Sequence, residues 1–139
     1  MTNTFYISDT HFCHKRIIEM AGRPFVTINE MNEALITNWN SVVTPEDTVI
    51  HLGDFAFAGF QVAHDIMARL NGYKILVKGN HDGTNAYMTR VGFNEIVKYL
   101  VRDNVIMIHN PIEIFTKGIV DGSMTLEERY RECDYVFWF

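Results

Sequence analysis

Residues 73–83 read YKILVKGNHDG: five residues suited to a buried strand run straight into glycine, asparagine, histidine and aspartate. Gly79, Asn80, Asp82 and Gly83 all tolerate the positive φ values of a sharp turn, but turn chemistry makes no demand for His81. The same arrangement occurs upstream. A strand over Thr4–Ser8 runs into DTHFCH (residues 9–14), and TVIHL (residues 48–52) runs into GDF (residues 53–55). Between them Ile28, Met31, Leu35, Ile36, Trp39, Val42 and Val43 recur at helical spacing, and Thr27 with Glu30 forms a capping box at the start. HKRIIEMAG (residues 14–22) reads as a short helix closed by Gly22, and Gln61–Leu70 as another stopped by Asn71 and Gly72.

The order strand, helix, strand, helix, strand predicts an α/β domain whose first strands are parallel. Polar clusters close three of those strands at their carboxyl ends, where open α/β sheets place ligand sites. Farther on, Thr84–Val91 suits a helix ended by Gly92. EIVKYLV (residues 95–101) and VIMIH (residues 105–109) flank a turn and predict an antiparallel hairpin. Thr125 with Glu128 forms a second capping box before the apolar stretch YVFWF. A chain of 139 residues, 47% hydrophobic, is expected to form one domain over residues 1–139.

A formal charge of -5 leaves no excess of cations for gripping a nucleic-acid backbone, so a nuclease is not favoured. Acidity alone is a weak guide here, because two bound divalent cations would nearly cancel it. Neither a signal-like start nor an apolar run near the ~20 residues of a membrane span is seen, so no membrane partner is expected. Cys13 and Cys133 are the two cysteines and make no disulfide framework, which fits a cytoplasmic setting.

The strand ends collect Asp9, His11, Asp54, Asn80, His81 and, after the hairpin, His109. Oxygen and imidazole donors of this kind suit manganese, iron, zinc or nickel. Asp-x-His at a strand exit lets two side chains turn toward one ion, and a lone carboxylate such as Asp54 is able to bridge two ions ~4 Å apart. DTH, GDF, GNHD and MIHNP, in that order and at these spacings over Phe5–Pro111, resemble the calcineurin-like metallophosphoesterase superfamily. The likeness is strongest to its small stand-alone bacterial and phage members.

The resemblance implies a four-layer α/β/β/α sandwich with a two-metal centre at the strand ends. It implies that Asp9 and His11 hold one ion, Asp54 bridges, and Asn80 with His109 holds the second. The activity implied is hydrolysis of a phosphodiester or phosphomonoester of a nucleotide-like small molecule, by attack of a metal-bound hydroxide, with manganese the expected ion in vitro. His81 matches the family's general acid or phosphate-contacting histidine. Asp82 is read either as orienting that ring or as capping the helix that follows. His14 reads equally as a phosphate contact or a solvated helix start. Arg23 has the guanidinium fork that matches phosphate oxygens, against the commoner fate of a surface ion pair. Taken singly, Asp9 and Asp54 read equally as turn residues or ligands, and their joint pattern favours metal; His109 reads as a ligand ahead of a core histidine, while His51 and His64 read as structural.

Two departures from the family pattern stand out. A Gly-His-x-His near the carboxyl end, which adds one imidazole to each ion, is absent, since no histidine follows His109. Three explanations compete: a shortened form of the fold, completion of the site by a tail acid or a neighbouring subunit, or loss of catalysis with metal or phosphate binding kept. The terminal aromatics fit a homodimer that covers them. Second, Cys13 stands where relatives place Gly, which leaves the shape of that loop open. It also puts His11, Cys13 and His14 within four residues, yet the second cluster that a structural zinc needs is not evident.

Overall fold

The computed structural model describes residues 1–102 and 105–109, and the backbone of 135–138. Strands β1 (Thr4–Ile7), β2 (Thr48–His51), β3 (Tyr73–Val77) and β4 (Glu95–Val97) form one parallel sheet in the order β1-β2-β3-β4. Helices α1 (Lys15–Met20) and α2 (Ile28–Val42) lie between the first two strands in sequence, α3 (Phe60–Ala68) precedes β3, and α4 (Asn85–Val91) precedes β4. Strands β5 (Leu100–Arg102), β6 (Val105–Ile108) and β7 (Tyr135–Trp138) make a second sheet, with β5 antiparallel and β7 parallel to β6. This is the mixed α/β architecture expected. Its outer layer over the second sheet, and the Thr125–Glu128 capping box, lie outside the described residues.

The central strands are apolar on both faces, as parallel strands covered from two sides must be. Val49 and Leu76 face α2, α3 and α4 and pack with Ile36, Trp39, Ile66, Met67, Met88 and Val91. Ile50, Leu52, Ile75 and Val77 face the other way, onto Met107 of the second sheet. The Thr27 hydroxyl accepts from the Glu30 amide at 3.1 Å, and the Glu30 carboxylate accepts in return from Val26 N at 2.9 Å. Gly92, at φ +132, ends α4.

EIVKYLV does not form one hairpin arm. It divides into β4 and β5, which belong to different sheets. α4 is a crossover that delivers Glu95–Val97 alongside β3, and a parallel βαβ unit competes successfully with the local pairing. After Val97 the chain changes sheets, and only Leu100–Arg102 pairs antiparallel with β6.

Ile7, His51 and Leu76 stand in register across three strands. The strands therefore stop at one level, and their exit loops leave side by side along one edge. Among the described residues no helix is long and apolar enough to cross a membrane.

Candidate metal centre

The β1 exit loop runs along the β2 exit loop. Asp9 N donates to Gly53 O (2.9 Å), His11 N to Asp54 O (3.1 Å) and Phe12 N to Phe55 O (2.9 Å). Asp9, His11, Cys13 and Asp54 all take positive φ, from 49° to 65°. L-residues pay of order 1–2 kcal/mol each for this conformation, so it persists where the surroundings over-determine it. At Cys13 the loop keeps the left-handed turn that a Gly would accept without cost, and the Asn32 side chain on α2 holds the residue through its amide (3.0 Å) and sulfur (3.1 Å).

The consequence is a convergence of donor atoms. Ligand atoms of Asp9, His11 and Asp54 all lie within 4.8 Å of one another. His11 Nε2 is 3.5 Å from Asp9 Oδ1 and 3.7 Å from Asp54 Oδ2. On the other side of Asp54, His109 Nε2 stands 3.6 Å from Oδ1 and 3.1 Å from Asn80 Oδ1. His109 Nδ1–H donates to Leu52 O at 2.7 Å, which fixes the tautomer and leaves an Nε2 lone pair aimed at the lone pairs of Asn80 and Asp54. Lone pairs gathered without a proton between them suit a divalent cation, and this donor set fits one. Glycines make the approach possible. A Cβ on Gly53 would lie 2.3 Å from His109 Nδ1, and one on Gly79 would lie 2.3 Å from Asp54 Oδ1.

Of the remaining residues singled out in the sequence, His81 is exposed, its ring 6.2 Å from that of His11, and its backbone N–H donates to Asp54 Oδ1 at 3.0 Å. His14 Nδ1 meets His11 Nδ1 at 3.2 Å and its ring stacks on Phe57. If His11 Nε2 offers a lone pair to an ion, Nδ1–H donates to His14, an outer partner of the kind that orients a ligating imidazole. His14 is also held below the usual histidine range, by burial first and then by the neighbouring His11 and His81.

Asp82 and Arg23 are engaged with backbone. Asp82 Oδ2 accepts from Gly79 N (2.7 Å) and Asp54 N (2.9 Å), and its Oδ1 accepts from Phe55 N (3.0 Å). The carboxylate thus ties the β3 exit to the β2 exit, while the cap of α4 is Thr84, whose hydroxyl accepts from Tyr87 N. The Arg23 fork donates to Asp9 O and Thr10 O, both at 2.7 Å.

Thr10 and His51 complete the lacing, although nothing in the sequence alone gives them a part in the site. His51 is fully buried. Its Nδ1 accepts from Gly53 N (3.1 Å), its Nε2–H donates to Thr10 Oγ1 (2.9 Å), and the Thr10 hydroxyl donates to Phe55 O (2.8 Å). One signal points to this pair: His51 lies two residues from Val49 on a strand buried on both faces, and a buried imidazole requires partners.

Two predictions follow from this lacing. Replacing Arg23 with Ala removes two charge-assisted bonds to the Asp9–Thr10 carbonyls, and Lys cannot restore the fork. Calorimetric titration with Mn²⁺ is expected to show affinity at least ~10-fold lower for both variants, as for other outer partners of metal sites. Unchanged affinity would mean that Arg23 does not hold the loop. For His51, burial lowers the pKa to about 3. Below ~6.5 the unfolded chain takes up a proton that the folded chain refuses, so this contribution is complete above that pH and is lost as pH falls toward 3, at up to ~1.4 kcal/mol per pH unit. Urea unfolding between pH 4.5 and 7 in EDTA should show a shallower slope for His51→Gln; identical slopes would refute the neutral, buried state.

Similarity to known proteins agrees with this geometry. The family model described as calcineurin-like phosphoesterase matches residues 3–136. An uncharacterized protein of Methanocaldococcus jannaschii is 36% identical over 118 residues, 84% of this chain and 63% of its own length. The gene 66 protein of Mycobacterium phage L5 is 35% identical over 86 residues, 60% of this chain and 41% of its own length. The chain thus spans less than two thirds of either relative. The crystal structure of a protein of unknown function from Aquifex aeolicus superposes with a TM-score of 0.67 at 28% identity, covering 96% of this chain and 75% of that one. With strand-end loops that bring Asp9, His11 and Asp54 together and a family match over nearly its whole length, the chain belongs to the calcineurin-like phosphoesterases.

Proposed function

We propose that the protein hydrolyses a phosphodiester or phosphomonoester of a nucleotide-like small molecule with the help of divalent cations, manganese serving in vitro. The observation that carries this reading is the position of Asp54. Its buried carboxylate has one oxygen 3.7 Å from His11 Nε2 and the other 3.6 Å from His109 Nε2, so it faces two groups of donors at once. Asp9 and His11 would hold an ion on one side, Asn80 and His109 on the other, with Asp54 between. Divalent ions in such a site supply positive charge against phosphoryl oxygens and acidify water.

The chain's own residues do the rest. Asp82, Arg23 and the His51–Thr10 pair keep the donors in place before substrate arrives, so little reorganisation is needed during the reaction. His81 stands at the exposed side of the donors, its backbone anchored on Asp54. From there its ring is available to give a proton to the leaving oxygen, whose developing charge is costly if left bare.

A second reading keeps the same donor cluster for binding alone. On that reading the domain binds metal or phosphate without turnover. Activity separates the two. With Mn²⁺ the full chain should cleave a chromogenic phosphodiester. His81→Ala should lower kcat by ~10²-fold or more, the usual worth of a general acid. Asp54→Ala should abolish both activity and calorimetric Mn²⁺ binding. Tight metal binding without turnover would favour the second reading, and unaltered turnover in Asp54→Ala would remove the first.

A further inference from the structure

An open cleft of about 490 Å³ begins at the residue after Asp54 and has His81 in its wall. Its floor is apolar: Phe55, Ala63, Met88 and Val91 are all buried. Its sides carry Phe57 and Tyr87. Phe57 is 61% exposed, an unusual position for a phenylalanine beside a cluster of polar side chains, and it stacks on His14 with ring centroids 5.0 Å apart. The Tyr87 hydroxyl is turned away to Ala58 O at 3.3 Å, so the phenol is pinned to the loop that forms the cleft wall. Among the described residues that line it, none apart from His81 is a histidine, lysine, arginine, aspartate or glutamate. Arg90, the cation nearest in sequence, lies over the Phe60 ring at 4.7 Å. Such a wall offers nothing to a second phosphate or a sulfate, and it offers aromatic surface to a flat, uncharged ring.

We propose that this cleft is the subsite for the leaving group and that it selects phosphoesters carrying an uncharged planar ring. The inference rests on the phosphoesterase reading and names the part of the substrate that reading leaves open. His81 is shared between the cleft wall and the donor cluster, which puts the scissile bond at the cleft mouth. In the reaction the P–O bond to the leaving oxygen breaks, water forms the new P–O bond, and a proton ends on the leaving oxygen, where His81 stands. A ring joined directly to that oxygen and a nucleobase carried beyond a sugar share this chemistry.

Ligand-observed NMR on the zinc-loaded full chain tests the cleft without turnover. Phenylphosphonate and a nucleoside 5′-phosphonate are compared with methylphosphonate, which keeps the charged head and lacks the ring. At least one ring-bearing compound should bind ~10-fold or more tightly than methylphosphonate, since burying one aromatic face is worth that much; which one does so identifies the source of the ring. Phe57→Ala, at an exposed position, and Ala58→Phe, which fills the cleft, should each bring the ratio close to one. Equal binding of all three compounds by the wild type, or a ratio that both variants leave intact, overturns the subsite. A chromogenic assay on the same preparation separates the two claims: ring preference without hydrolysis keeps the subsite and removes the phosphoesterase reading, whereas hydrolysis without ring preference does the reverse.

Discussion

Backbone pairing between two strand exits is the constraint from which the site follows. Amides of Asp9, His11 and Phe12 donate to carbonyls of Gly53, Asp54 and Phe55, and this lattice forces alternate residues of the first loop into left-handed conformations. The turn aims Asp9 and His11 at Asp54. Several kcal/mol of backbone strain is tolerable only because many weak contacts oppose it. Arg23 holds the first loop by its carbonyls, His51 and Thr10 tie the first loop to the second, and Asp82 ties the second to the third.

These contacts are short and buried or partly buried, so the donors are arranged before any ligand arrives. Preorganisation is what distinguishes the site from a chance gathering of acids. Two carboxylates, two imidazoles and an amide on flexible loops would separate through side-chain entropy and repulsion between the carboxylates. Here the strands end in register, the glycines at 53 and 79 allow contact closer than a Cβ permits, and both ligating imidazoles have Nδ1 engaged, His11 with His14 and His109 with Leu52 O. The same economy applies to the hydrophobic side. The helices that bury Leu76 and Val49 also leave the apolar cleft between α3 and α4 into which His81 looks.

Much of this is legible in the sequence, for definite reasons. Strands β1 to β3 are short apolar runs with polar residues immediately after, and β–α alternation leaves little choice of topology. Asp9, His11, Asp54, Asn80 and His109 are legible as a set because each sits at a strand end. The division of residues 95–101 between two sheets is not legible, since β4 and β5 differ in no local propensity and only the crossover through α4 separates them. The parts taken by Arg23 and Asp82 are hidden for another reason. Both are charged residues beside phosphate-like motifs, and nothing in their identity tells whether a fork or a carboxylate meets a ligand or the protein's own backbone. Thr10 is hidden as well, because a hydroxyl between two striking neighbours draws attention only once His51 is seen to be buried beneath it.

The central claim is that the laced strand ends hold divalent cations between Asp9, His11, Asp54, Asn80 and His109. The most direct test is anomalous scattering from crystals soaked in Mn²⁺. Peaks coordinated by Asp9, His11 and Asp54 on one side of that carboxylate and by Asn80 and His109 on the other are the result expected. Crystals in millimolar Mn²⁺ that show no peak within bonding distance of Asp54, with the loops in the conformation described, would contradict it.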